Sequence, residues 1–92
     1  MVTATNLEIA ARGALVARLK SIEGQARGIQ RMLEDGRDCR EILDQLGAMR
    51  AASHAVSMQA IEAFALHCLR ESPGAPDQVM AEFLGVISKL TR

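Results

Sequence analysis

From Leu15 onward the apolar residues Leu15, Leu19, Ile22, Ala26, Ile29 and Leu33 recur at steps of four and three, the spacing of one face of a long helix. Thr5 followed three residues later by Glu8 has the form of a capping box, and Gly36 follows the last apolar position as a helix-terminating glycine. These signals predict a first helix over about 6–35. Asp38 with Glu41 repeats the capping pattern, and no proline occurs before Pro73, so a second helix is expected over 39–71. The stretch Ser72-Pro-Gly-Ala-Pro76 reads as a linker, and Pro76 with Asp77 suits the first turn of a short third helix over about 76–90. The pattern is that of one all-α domain of three helices, with no internal repeat.

Composition adds two constraints. Ala, Leu, Glu, Arg, Gln and Met dominate, and the only aromatic residues are Phe64 and Phe83, which favours helix over strand. A chain of 92 residues buries only about 60 to 65% of its unfolded surface on its own, so a second subunit is expected. The formal net charge is zero, and no excess of positive charge advertises nucleic acid. Residues 1–40 nevertheless carry seven basic against five acidic side chains, which makes the first helix the better face for an anion. No apolar run has the length of a membrane span and the N-terminus lacks the regions of a signal peptide, so a cytoplasmic protein is expected. Two cysteines in a reducing compartment are better read as ligands or redox groups than as a permanent crosslink.

Cys39 and Cys68 stand 29 positions apart on the expected second helix. At 1.5 Å per residue that is about 43 Å, too far for one subunit to join them, while 29 steps of about 100° bring both to the same face. Two such helices packed antiparallel place Cys39 of one beside Cys68 of the other at both ends of a dimer, with the two-fold axis near Ser53 and His54. The alternative is that both thiols only pack, as free cysteines often do. Cys39, at the positive end of the helix and between Arg37 and Arg40, is the better candidate for an attacking thiolate, although Asp38 and Glu41 oppose this. His67 lies about 100° from Cys68 and reads as a rim residue, and His54, near the helix midpoint, as a dimer-interface or surface residue, rather than as ligands. Gly24 and Gly28 share one face of the first helix, where they either admit a close neighbour or are simply tolerated.

The segment Arg18 to Met32, RLKSIEGQARGIQRM, together with DQLGAMRAA and HCL, resembles the signature of the CsoR/RcnR family of bacterial ligand-sensing repressors, a likeness that runs from about Ala14 to Leu69. The resemblance implies a three-helix subunit, an antiparallel helical dimer, a dimer-of-dimers tetramer, and release of operator DNA when a ligand occupies the intersubunit cysteine site. It departs from the subclasses in telling ways. Copper-sensing members have a histidine four residues before the second cysteine, where this chain has Phe64, and a tyrosine before the first, where it has Asp38; Glu82 falls near a glutamate of their last helix. The N-terminal and additional histidines of nickel and cobalt sensors have no counterpart in the first helix, and the N-terminal proline of formaldehyde sensors is missing.

The remaining pattern resembles the persulfide-sensing subgroup. The expected signal is therefore a persulfide or polysulfide donor: Cys39 acquires sulfur and Cys68 of the other subunit resolves it, with no cofactor. The competing reading is Cu(I) held by the two thiolates alone, since soft sulfur ligands suit Cu(I). A purely structural helical oligomerisation module is the reading from another class. An enzyme is not expected, because no acid–base cluster or phosphate loop accompanies the thiols.

For DNA the resemblance implies a helix surface rather than a helix-turn-helix, and the second helix is too long for that motif. Arg18 and Gln25 share one stripe of the first helix; Lys20, Arg27 and Arg31 share another; Arg50 is a further candidate on the second. Against this stands the ordinary fate of Arg and Lys on an amphipathic helix, which is to be solvated surface charge.

Overall fold

The computed structural model describes residues 3–4, 7–71 and 76–90. Three helices follow one another, α1 (Ile9–Glu34), α2 (Cys39–Glu71) and α3 (Pro76–Leu90), and no strand occurs among the described residues. The hairpin of α1 and α2 is the body of the subunit.

The turn between them is built from local chemistry. Asp35 N–H donates to Arg31 O at 2.8 Å, Gly36 N–H to Leu33 O at 3.3 Å and Arg37 N–H to Met32 O at 2.9 Å, the paired bonds of a Schellman ending. Gly36 carries the motif at φ +69°, a conformation any side chain resists. Asp38 then opens α2: its carboxylate accepts from Arg40 N–H at 2.9 Å and its carbonyl from Ile42 N–H at 3.1 Å. Glu41 does not complete a capping box, since its carboxylate accepts from Arg37 at 2.6 Å. Gly36→Ala is expected to cost about 1–2 kcal/mol. Nothing lies within 4 Å of the added Cβ, so the loss would be backbone strain alone. Urea denaturation at matched subunit concentration measures it.

The start of α1 differs from the sequence expectation. The helix begins at Ile9, not near residue 6; Thr5 lies outside the described residues, and Glu8 precedes the helix at φ −59°, ψ 145° without a side-chain cap. The cause is tertiary. Leu7 N–H turns back to Ala4 O at 3.2 Å, which lets Leu7 bury its side chain, and the Glu8 carboxylate accepts from Arg70 near the far end of α2.

The subunit is incomplete as a globule. Only Leu7, Ile29 and Ile42 are buried apolar residues among those described. The radius of gyration is 17.0 Å, against about 12 Å for a compact chain of this length. The accessible surface is 7075 Å², where a compact monomer exposes about 5,200 Å². The excess, roughly 1,900 Å², is about twice what one partner contributes to a standard interface of roughly 800 Å² per side. Much of it is apolar: Leu19 and Leu33 of the α1 seam, Leu43 and Leu46 of α2, and Leu84, Val86 and Leu90 of α3 all stand exposed.

Candidate functional site

Cys39 is the first residue of α2, exposed and unbridged, just after the Asp38 cap and flanked by the Arg37–Glu41 ion pair at 2.6 Å. Cys68 belongs to the last turns of the same helix, and its side chain lies outside the described residues. Because α2 runs unbroken for 33 residues, the two positions are separated by about 43 Å along one axis and cannot meet within a subunit. Both fall on one side of that axis, together with Leu43, Leu46, Arg50, Ser53, Ser57, Ile61 and Phe64.

Phe64, one turn before Cys68, is half-buried and supplies no donor atom. His67 is half-buried on a different side, in a shallow recess with Leu7, Glu8 and Arg70. His54 is exposed at mid-helix. No group of three or more His, Cys, Asp or Glu side chains gathers among the described residues. Two subunits with their α2 helices antiparallel would offer one thiolate from each α2 end. That set fits Cu(I), which is soft and accepts two sulfurs, and it does not fit Zn²⁺, which takes four ligands.

The proposed DNA contacts divide between two sides of α1. Lys20, Arg27 and Arg31 lie within about 40° of one another and are all exposed, with Arg27 paired to Glu23 at 2.9 Å. Arg18 and Gln25 are on the opposite side, that of buried Ile29; Arg18 is nevertheless exposed and Gln25 half-buried. The two stripes therefore do not form one surface within a subunit. Arg50 is exposed on the cysteine side of α2, apart from both. The Glu8–Arg70 pair joins residues 62 apart and has no local signal in the sequence.

The model of the metal-sensitive transcriptional repressors matches residues 11–89. The chain belongs to this family. Copper-sensing transcriptional repressor CsoR of Bacillus subtilis strain 168 is 43% identical over 77 residues, covering 82% of this chain and 76% of that one. Copper-sensing transcriptional repressor RicR of Mycobacterium tuberculosis H37Rv is 35% identical over 80 residues, 82% of each chain. The crystal structure of the copper-sensing repressor CsoR with Cu(I) from Geobacillus thermodenitrificans NG80-2 superposes with a TM-score of 0.85 at 36% identity, covering 100% of this chain and 95% of that one. Family membership makes the chain a transcriptional repressor and not an enzyme, with the all-α three-helix architecture expected of it. It does not support the persulfide subgroup: the two named repressors are both described as copper-sensing, which favours Cu(I) over the sulfur signal to which Phe64 points. No described helix is long and apolar enough to cross a membrane.

Proposed function

We propose that this repressor holds operator DNA as a homo-oligomer built from antiparallel α2 pairs, and lets go when Cu(I) joins Cys39 of one subunit to Cys68 of another. The observation that carries this reading is the unbroken α2, which separates the two soft donors too widely for one subunit yet aligns them for two. The copper-sensing relatives supply the choice of ligand. Cys39 and Cys68 of opposite subunits would hold Cu(I), which would supply soft metal–thiolate bonding between the two helix ends. This chain's own residues do the rest: the Asp38 cap fixes the helix end that carries Cys39, and Phe64 adds an apolar side chain one turn from Cys68. Release requires only that the ligand bind the DNA-free arrangement more tightly than the DNA-bound one.

A second reading rests on Phe64, which occupies the position of the nitrogen donor in the copper sensors this sequence resembles. With two sulfurs and no nitrogen, the pair also suits sulfane sulfur. The Cys39 thiolate attacks a persulfide RS–SH, taking its outer sulfur and expelling RS⁻. The Cys68 thiolate of the other subunit then attacks the Cys39 sulfur, forming a disulfide and expelling HS⁻. Fluorescence anisotropy of an operator fragment, combined with intact mass under non-reducing conditions, separates the two. Release by anaerobic Cu(I) with no covalent link, and no release by polysulfide, supports copper sensing. A polysulfide-induced link with release, and no effect of Cu(I), overturns it in favour of sulfur.

On the DNA side, Arg18 and Lys20 are proposed as phosphate contacts, with Gln25, Arg27 and Arg31 as weaker candidates on the same two stripes. Arg18→Ala is expected to lower operator affinity by up to about tenfold, the worth of one charge-assisted contact. It should also reduce the slope of log affinity against log salt by about one. Anisotropy titrations at several salt concentrations measure both, and an unchanged slope removes Arg18 from the binding surface.

A further inference from the structure

The side of α2 that carries the cysteines is not uniformly apolar. Leu43 and Leu46 stand exposed near one end, Ile61 and Phe64 are half-buried near the other, and between them lies a polar band of Arg50, Ser53, His54 and Ser57. The intersubunit reading of the cysteines, on which this inference rests, sets two antiparallel helices with Cys39 level with Cys68. In that register every level is matched in kind. Leu43 is level with Phe64 of the second copy, Leu46 with Ile61, Arg50 with Ser57, and Ser53 with His54. The Ser57 hydroxyl donates to its own Ser53 carbonyl at 3.1 Å, which leaves its oxygen lone pairs free to accept from a guanidinium.

We propose that the Arg50–Ser53–His54–Ser57 band sets the register of two copies of this chain against each other, so that Cys39 and Cys68 of opposite subunits come level. Sliding one helix by a turn in one direction sets the Arg50 charge against Ile61 of the second copy. Sliding it the other way sets Leu46 against Ser57 and brings Cys39 level with Phe64. The first shift desolvates the Arg50 guanidinium without a partner, which is the device by which a polar residue in an apolar seam selects one alignment; the second keeps Arg50 level with a serine, Ser53, but loses the apolar pairing of Leu46 with Ile61. Apolar contacts alone, being non-directional, distinguish neighbouring registers weakly. Arg50 thereby acts at the subunit seam and not on DNA, and it is a positioning residue for the sensing site.

The test is brief diamide oxidation of the full-length protein, with Cys39–Cys68 links between subunits counted by mass spectrometry and assembly followed by sedimentation. In Arg50→Leu/His54→Leu the oligomer should persist while the link yield falls about tenfold, the factor equivalent to one charge-assisted hydrogen bond of register preference. Ser57→Leu breaks the same level from the other side and should give the same fall; it decides the matter if the double variant does not assemble. Arg50→Lys, which keeps the charge, should restore much of the yield. Wild-type yield in either assembled leucine variant overturns the register proposal alone. No intersubunit link in the wild type overturns the intersubunit site itself.

Discussion

Cys39→Ser is expected to abolish ligand-induced release while leaving operator affinity without ligand within about twofold of wild type, the range of an exposed substitution. Cys39 is exposed and unbridged at the first position of α2. The hydroxyl that replaces its thiol is a poor ligand for Cu(I) and does not attack sulfane sulfur. The loss therefore holds whichever signal the protein reads, and it tests the cysteine pair rather than the choice of ligand. Anisotropy of a labelled operator, before and after each effector, provides the measurement. A variant that still released DNA would detach the thiol from the response.

Phe64→His is expected to separate the signals. It places an imidazole one turn before Cys68, where copper-sensing members of the family have theirs, and turns a two-sulfur site into two sulfurs and one nitrogen. An outer-shell partner of a metal ligand alone changes affinity by 10–100-fold, so gaining a ligand should raise Cu(I) affinity by on the order of 100-fold or more in competition with a Cu(I) chelator. Sulfur transfer uses no nitrogen donor and should change little. Phe64 is half-buried, so the variant loses some packing, and its helicity should be verified by circular dichroism before titration. Unchanged affinity in a folded variant would mean that residue 64 does not face the thiols.

The legibility of the fold in the sequence follows the range of the interactions. Gly36 and Asp38 announce the turn because a Schellman ending and an N-cap are decided within a few residues, and both are present with the expected bonds. The two cysteines can be assigned to one side of α2 because helix geometry is regular over any length. The helix starts later than the local pattern suggests, at Ile9, and the exposed pair of Glu8 with Arg70, 62 residues away, is a contact that no local pattern contains. Arg18 stands exposed although it shares the side of α1 that carries buried Ile29, which azimuth alone does not foretell. Copper ranks below sulfur on the sequence alone because one missing histidine outweighs there the kinship that the relatives reveal.

The unbroken length of α2 has a genetic consequence. The proposed antiparallel pair would hold two sites, each drawing one cysteine from each chain. A subunit lacking Cys39 and a subunit lacking Cys68 are each inert as homodimers, yet a mixed dimer of the two contains one complete site and one with neither thiol. Two alleles that are both silent alone should therefore complement each other when co-expressed, whereas two alleles that both lack Cys39 should not. A sensing site confined to a single subunit has no such behaviour, because mixing then restores nothing.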